Sequence, residues 1–140
     1  MQEGLWNLED KTVALFGLSF KPGTDDVRFA PALTLARRLI SGGARVVGYD
    51  PEAMVNAKEE VPELEVAPSP YQAAAGAHCA VVCTEWPEFR VLDLETLRDV
   101  MTYPLVVDGR NLFDRESMAA AGFTYYPTGR PRVQWVSRPA

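Results

Sequence analysis

The sequence predicts an α/β fold in which helices cover both faces of a mostly parallel, doubly wound sheet of about six strands. Short apolar runs alternate with segments of helical spacing along nearly the whole chain. The apolar runs are continuous rather than alternating, which is typical of strands that are buried on both faces. With 140 residues and 47% hydrophobic content, the chain can bury one core of ordinary size, so we expect a single domain.

The first half of the chain contains three predicted strands. Residues 11–18 are almost continuously apolar and rich in β-formers, which predicts the first strand. Pro31 suits the first turn of a helix, whose apolar stripe ends at Gly42 and Gly43, where a left-handed cap is expected. The next elements are predicted, in order, as strand, weak helix, short strand and helical turn: residues 45–49, 53–60, 64–67 and 70–75.

The second half continues this alternation and brings the number of strands to about six. Its predicted elements are, in order, strand, helix, strand, helix and strand: residues 80–83, 94–101, 105–107, 115–121 and 123–126. Right-handed crossovers place helices on both faces of the sheet and give a three-layer, Rossmann-like fold. For this fold we expect the strand order 3-2-1-4-5-6. We assign residues 11–131 to this domain, residues 1–10 to an N-terminal extension and residues 132–140 to a C-terminal tail.

Composition and charge exclude several classes of function. The net charge of −5 and the pI of about 4.9 argue against a nucleic-acid surface. No apolar run approaches the roughly 18 residues that cross a bilayer, and the N-terminus lacks the pattern of a signal peptide. Cys79 and Cys83 lie in one apolar run and His78 is the single histidine, so no metal site is expected. We therefore expect a reduced, cytoplasmic domain without membrane contact.

Polar residues gather after three of the predicted strands. They follow the first, fourth and fifth strands, at residues 17–28 (GLSFKPGTDDVR), 84–86 (TEW) and 108–111 (DGRN). In the expected order, strands 1 and 4 flank the point where strand order reverses, and ligands of such sheets bind beyond the carboxyl ends of the strands at this point. The side chains of Lys21, Arg28 and Arg110 could hold phosphate there, because charge-assisted hydrogen bonds are strong.

The glycine pattern of a dinucleotide-binding fold is absent. After Gly17 the chain continues Leu-Ser-Phe, so no Gly-x-Gly-x-x-Gly segment follows the first strand. Asp50 ends the second strand, where NAD-binding folds place the carboxylate that binds ribose. Without the glycines, we interpret Asp50 and Pro51 as a turn.

Each of these motifs also has a simpler interpretation. Arg28 can pair with an aspartate of its own loop, either Asp25 or Asp26. The segment 84–86 can be a corner that packs Trp for its area alone. The aspartate of the DGRN segment can cap its own turn while Arg110 is solvated.

No catalytic residue is predicted in this chain. Cys79 and Cys83 are interpreted as small core residues, and His78 as a residue at the start of a strand. We find no nucleophile next to a base at a spacing that would activate it.

Together the motifs resemble one family module. Residues 20–28 (FKPGTDDVR), followed by residues 30–33 (APAL), are similar to the signature of the C-terminal, UDP-binding domain of the UDP-glucose 6-dehydrogenases. The further matching segments, in the family's order and approximate spacing, are residues 49–51, 84–86, 88–89, 108–111 and 122–126. The resemblance covers roughly residues 11–131. Sister enzymes that act on GDP-mannose or UDP-N-acetylhexosamines share part of the first motif, and the TEW and DGRN segments favour UDP-glucose.

The resemblance implies an oxidoreductase that converts the sugar C6 alcohol to a carboxylate in two hydride transfers to NAD, through a thiohemiacetal and a thioester on a cysteine. It implies that Phe20 and Lys21 contact the UDP-sugar, that Arg110 contacts the substrate, and that Arg28 reaches an NAD held mainly by another domain. The implied partners are the NAD-binding and central helical domains of the same enzyme, which forms a homodimer.

The chain also departs from the family pattern. It contains no NAD-binding domain, no central helical segment and no Gly-Gly-Ser-Cys motif, and neither Cys79 nor Cys83 lies in such a context. Ala30 stands where the family often has serine, which predicts a weaker helix N-cap. We expect a fragment or a separately encoded half of the enzyme that is inactive alone. A stand-alone, non-enzymatic nucleotide-binding or assembly module is the alternative.

Overall fold

The structure, a computed structural model, describes residues 9–19, 21, 23–28, 30–110 and 112–127. Most of the predicted N-terminal extension and the whole predicted tail lie outside these residues. The strands are β1 (Thr12–Phe16), β2 (Arg45–Tyr49), β3 (Glu65–Val66), β4 (Cys79–Val82), β5 (Leu105–Asp108) and β6 (Thr124–Pro127). The helices are α1 (Pro31–Ser41), α2 (Met54–Glu60), α3 (Pro70–Ala74), α4 (Leu94–Val100), α5 (Arg115–Ala120) and a 3₁₀ helix, Pro87–Val91.

The six strands form one sheet in the order β3-β2-β1-β4-β5-β6, and all five strand pairs are parallel. The predicted fold class and strand order are therefore confirmed. β1 lies in the middle, with Ala14 opposite Val47 of β2 on one side and opposite Ala80 of β4 on the other. The carboxyl ends of β1, β4 and β5 consequently lie side by side at one edge of the sheet.

Successive residues of β1 face opposite layers of the core. Val13 and Leu15 pack in a cluster with buried residues of α1 and α2, including Leu33. Ala14 and Phe16 pack in a second cluster with buried residues of α3, α4 and α5. Helices thus cover both faces of the sheet, which explains why the strands are continuously apolar.

The ends of α1 agree with the sequence pattern. Pro31 occupies its first turn, and Ala30 at the N-cap makes no side-chain capping bond, as expected for alanine. At the other end, Gly43 has φ +98°, and the Ala44 N–H donates to the Leu39 carbonyl at 3.0 Å. This is the left-handed cap that the glycine pair predicted.

The 3₁₀ helix was not predicted. It is only five residues long and begins at Pro87, so it carries no helical periodicity that a sequence pattern could reveal. Its one fully buried side chain is Phe89, whose ring lies 5.6 Å from that of Phe16 between the ring centroids. Packing of this ring against the end of β1 holds the segment in place. Among the described residues, no helix is long and apolar enough to cross a membrane.

Candidate functional site

The loop after β1 turns closely over the end of β4, and this turn requires glycine. Gly17 has φ +95°, and its N–H donates to the Tyr49 carbonyl at 2.8 Å. A Cβ atom added at Gly17 would lie 2.5 Å from the Cβ atom of Thr84. Since both the backbone angle and the space exclude a side chain, this glycine fixes the path of the loop.

Asp50, at the end of β2, anchors the loop after β1 through backbone hydrogen bonds. Its side chain is fully buried, and Oδ2 accepts hydrogen bonds from the N–H groups of Leu18 at 2.7 Å and Ser19 at 3.0 Å. The Trp86 indole N–H donates to the same oxygen at 3.1 Å. Oδ1 accepts from the two N–H groups that begin the next turn, those of Glu52 and Ala53, each at 2.8 Å. Asp50 is thus the turn residue that was predicted, but it also connects three loops.

A second contact joins the first loop directly to the segment after β4. The Thr84 hydroxyl donates to the Ser19 carbonyl at 2.9 Å, and both residues are buried. The Ser19 hydroxyl in turn donates to the Lys21 carbonyl at 2.9 Å. The Lys21 side chain is exposed and makes no ion pair with any described residue. Its backbone is therefore anchored while its ammonium group remains in solvent.

Asp108, at the end of β5, organises the third loop. It is fully buried, and Oδ1 accepts a hydrogen bond from the Arg110 N–H at 3.0 Å. Oδ2 accepts from the N–H groups of Leu112 and Phe113 at 2.7 and 3.0 Å, and from the Tyr125 hydroxyl at 2.5 Å. The predicted capping of the turn is confirmed, and the same carboxylate also ties this turn to β6.

Arg110 is paired rather than simply solvated. Its Nε–H donates to Oε1 of Glu85 at 2.5 Å, and both side chains are partly exposed. This contact connects the segment after β4 to the segment after β5. Together with the contact between Thr84 and Ser19, it shows that the three polar motifs meet at one edge of the sheet, as their order predicted.

Arg28 pairs with Asp26, one of the two partners considered from the sequence. The guanidinium binds the carboxylate through Nε and Nη2, the shorter contact being 2.8 Å. This pairing lowers the pKa of Asp26 to about 2, and the largest cause is the side-chain hydrogen bonding with Arg28. The pair is exposed, so its contribution to stability is small.

A cleft of about 560 Å³ lies between this part of the loop and α2. Besides Arg28 it is lined by four carboxylates, those of Asp25, Asp26, Glu59 and Glu60. This excess of negative charge disfavours phosphate inside the cleft, while the exposed Arg28 side chain can still meet an anion from the solvent side.

Neither cysteine has the properties of a nucleophile. Burial raises the pKa of both Cys79 and Cys83 to about 12, which keeps the thiols protonated at neutral pH. The Nδ1 atom of His78 accepts a hydrogen bond from the Thr12 N–H at 3.1 Å, at the start of the strands. No group of three metal-ligating side chains occurs among the described residues.

Two residues of the predicted motifs lie outside the described residues. They are Phe20, for which the resemblance implies a contact with the UDP-sugar, and Asn111 of the DGRN segment. The sequence interpretation placed Ser19 and Glu85 within two of the polar segments expected at this edge, but it assigned no contact to either side chain. It gave Tyr125 no role in the site.

Comparison with known proteins identifies the family of this chain. The model of the UDP binding domain of the UDP-glucose/GDP-mannose dehydrogenase family matches residues 14–115 of this chain. The chain belongs to this family. The match includes all three motifs at the edge of the sheet, from Gly17 through Arg110.

Relatives of the chain within the UDP-glucose/GDP-mannose dehydrogenase family are much longer. The UDP-glucose 6-dehydrogenase of Rhizobium meliloti is 46% identical over 125 residues, which are 89% of this chain and 29% of that protein. The structure of a UDP-glucose dehydrogenase from Pyrobaculum islandicum matches with a TM-score of 0.73 and 31% identity, covering 89% of this chain and 27% of that one. A UDP-D-ManNAc dehydrogenase from Pyrococcus horikoshii matches with a TM-score of 0.74 and 27% identity, covering 91% and 28%.

The resemblance to this dehydrogenase family implies NAD, but the crevice between β1 and β2 does not fit a dinucleotide. Asp50 stands where a ribose-binding acid would lie, yet it is fully buried and accepts hydrogen bonds from five protein donors. It therefore has no capacity left for the hydroxyl groups of a ribose. In this chain the position is therefore internal to the protein.

Proposed function

We propose that the edge of the sheet formed by the loops after β1, β4 and β5 binds the diphosphate of a UDP-sugar, mainly through Lys21 and Arg110. The observation that carries this proposal is the pair of contacts that join the three loops, from Thr84 to Ser19 and from Glu85 to Arg110. They bring two cationic segments, separate in sequence, to one edge of a sheet whose carboxyl ends are the usual ligand site.

The chemistry of the two cations suits a diphosphate. Each charge-assisted hydrogen bond to a phosphate oxygen contributes about 1.5–3 kcal/mol. Lys21 brings three N–H donors on a flexible stem, and Arg110 brings a planar guanidinium that can bind two oxygens at once. Phe20 is proposed as a further contact to the UDP-sugar, on the strength of the family resemblance alone.

We propose further that this chain is the UDP-binding part of a UDP-glucose 6-dehydrogenase. The intact protein would oxidise UDP-glucose to UDP-glucuronate and deliver two hydrides to two molecules of NAD. The chain spans about 29% of the curated relative from Rhizobium meliloti, so the NAD-binding domain and the catalytic cysteine would belong to other parts of the protein. Arg28 would contact NAD held there.

The oligomeric state, location and partners proposed next are those of the intact protein. We propose a homodimer in the cytoplasm, assembled through a central helical domain, with no nucleic-acid partner. This chain alone is expected to reduce no NAD in the presence of UDP-glucose, because neither thiol is activated. Measurable turnover by the isolated chain would contradict this assignment.

Isothermal titration of the chain with UDP tests the binding site. Lys21→Ala and Arg110→Ala should each weaken binding at least about tenfold, which corresponds to about 1.4 kcal/mol. Arg45→Ala is the matched control, because Arg45 is an exposed arginine at the opposite, amino end of β2 and pairs with Glu65. Unchanged binding in both site variants would refute the site.

The sugar nucleotide itself can be ranked in the same experiment. The match to a UDP-D-ManNAc dehydrogenase keeps a sister enzyme of another nucleotide sugar as the second candidate. Tighter binding of UDP than of GDP is expected. Preference for GDP would favour the sister enzyme that acts on GDP-mannose.

A further inference from the structure

Among the residues that the structure describes, the contact between Arg110 and Glu85 differs from the two other arginine pairs that are joined by side-chain hydrogen bonds. Arg28 binds Asp26 through both Nε and Nη2, and Arg45 binds Glu65 in the same two-point manner. Arg110 uses Nε alone, at 2.5 Å from Glu85 Oε1. Among the residues that the structure describes, none accepts a hydrogen bond from Nη1 or Nη2 of Arg110. Within the described part of the chain, both terminal NH₂ groups are therefore without a hydrogen-bond acceptor.

Arg110 is held at two points along its length. Its backbone N–H donates to Oδ1 of the buried Asp108 at 3.0 Å, which sets where the side chain begins. Its Nε–H donates to Glu85, which fixes the guanidinium near its other end. An arginine held in this way loses less conformational freedom when it binds an anion than a free one does.

Glu85 is itself held by its two neighbours in the chain. The Thr84 hydroxyl donates to the Ser19 carbonyl at 2.9 Å, and the Trp86 indole donates to Asp50 at 3.1 Å. Both acceptors belong to fully or almost fully buried residues. The carboxylate therefore extends from a segment that is anchored on both sides, and it can serve as a fixed acceptor.

Two opposite roles for Glu85 follow from electrostatics alone. A carboxylate next to a phosphate site repels the ligand, and it also competes for the cation. A carboxylate that accepts only from Nε instead orients the guanidinium and leaves its terminal N–H groups free, since Nε carries one of five donors. The one-point geometry of this pair favours orientation, because a competitor would engage the two-donor edge, as Asp26 does with Arg28.

We infer that Glu85 is a positioning residue, which holds Arg110 so that its two terminal NH₂ groups can bind the diphosphate. This inference rests on the proposed function of Arg110. Glu85 itself would not touch the ligand. Its effect on binding should therefore depend on Arg110 and on the presence of an acceptor at this position, rather than on the negative charge.

UDP titration of Glu85 variants in the full 140-residue chain tests the inference. Glu85→Ala removes the acceptor and should weaken binding about fivefold, while Glu85→Gln keeps an acceptor oxygen and should stay within about twofold of the unsubstituted chain. In an Arg110→Ala background, Glu85→Ala should have no further effect. Glu52→Ala, which removes a carboxylate from an exposed side chain in the turn after β2, is the matched control for net charge.

A ligand-independent measurement separates orientation from folding. The ¹⁵Nε–¹H resonance of Arg110 should be distinct in the unsubstituted chain and in Glu85→Gln, and should move to the position of a free arginine in Glu85→Ala. The midpoint of thermal unfolding should be the same in all three, because exposed ion pairs contribute little to stability.

The outcomes distinguish the two levels of the proposal. If Glu85→Ala binds UDP as well as or better than the unsubstituted chain while Arg110→Ala is weak, the positioning role is wrong and the proposed function stands. If Glu85→Gln is as weak as Glu85→Ala, the charge rather than the acceptor matters, and the inference is overturned. If Arg110→Ala binds normally, or if the chain binds no UDP, the proposed function fails and this inference fails with it.

Discussion

The indole N–H of Trp86 donates a 3.1 Å hydrogen bond to Oδ2 of Asp50, across the end of the strand that lies between them. Asp50 follows β2, Trp86 follows β4, and β1 separates these strands in the sheet. The same oxygen accepts from the two N–H groups with which the chain leaves β1, those of Leu18 and Ser19. One buried carboxylate thus fixes the loop that carries Lys21.

Replacing Asp50 by Asn should be strongly destabilising. The carboxylate accepts from the N–H groups of Leu18 and Ser19 through one oxygen and from those of Glu52 and Ala53 through the other. Asparagine has a single side-chain oxygen, so its NH₂ group would face one of these pairs of N–H donors in a fully buried site. We expect the free energy of unfolding to fall by about 3 kcal/mol, measured by urea denaturation followed by far-UV circular dichroism.

The matched control for this change is Asp93→Asn. Asp93 also accepts two backbone N–H bonds, but it is an exposed N-cap of α4, where asparagine is an equally good residue. Its replacement should change stability by less than about 0.5 kcal/mol. Similar losses in the two variants would contradict the role assigned to Asp50.

Gly17→Ala should also be destabilising, because the positive φ angle disfavours alanine and because Thr84 occupies the space that the new Cβ atom needs. The residue has φ +95°, and its Cβ atom would lie 2.5 Å from the Cβ of Thr84. We expect a loss of about 3 kcal/mol, combining a strained left-handed conformation with an overlap that requires the loop or β4 to move.

Gly76→Ala separates these two causes. Gly76 has a similar φ of +75°, but a Cβ atom there would meet nothing within 4 Å. The expected loss is about 1 kcal/mol, from backbone strain alone. An equal effect of the two substitutions on the urea midpoint would show that the close approach to Thr84 is unimportant.

The two cysteines should be unreactive in the native chain. Burial raises the pKa of both thiols to about 12, so almost no thiolate exists at about pH 8. Ellman's reagent should label the native chain very slowly and the chain unfolded in guanidinium rapidly. Fast labelling of the native chain would contradict the claim that neither thiol can act as a nucleophile.

Asp26 should titrate well below an ordinary aspartate. Hydrogen bonds from Arg28 lower its pKa from 3.8 to about 2, so the stabilising contribution of the pair is present above pH 3.8 and is lost as the pH falls through about 2. The ¹³Cγ shift of Asp26 should follow this midpoint, and Arg28→Gln should return it toward 3.8. Arg45→Gln should leave it unchanged, because Arg45 pairs with Glu65. A midpoint that does not move in Arg28→Gln would remove Arg28 as the cause.

Much of the fold could be predicted from local patterns. The apolar run before Gly17 and the helical stripe after Pro31 identified β1 and α1, and the strand order was the one expected for a doubly wound fold. The meeting of three polar loops followed from this order, since parallel strands end at the same edge. The cationic side chains in these loops indicated a phosphate ligand, and the family resemblance specified a UDP-sugar.

The contacts within the site could not be predicted in the same way. Asp50 and Leu18 are 32 residues apart, and Glu85 and Arg110 are 25 apart, so their pairing depends on exact positions in the folded sheet. A lone aspartate before Pro51 equally suits an ordinary turn, and only burial shows that it connects three loops. The sequence identified which residues are polar at the edge, while packing decided which of them bind each other.

The most direct test of the account is a map of the UDP site by ¹H–¹⁵N correlation spectra during titration with UDP. We expect shifts at the amides of the three loops, centred on Ser19, Lys21, Glu85 and Arg110. Amides at the amino end of the sheet, such as those of Thr12 and Arg45, should not shift. Shifts confined to that amino end, or an unchanged spectrum at saturating UDP, would contradict the claim that this edge of the sheet binds the nucleotide diphosphate.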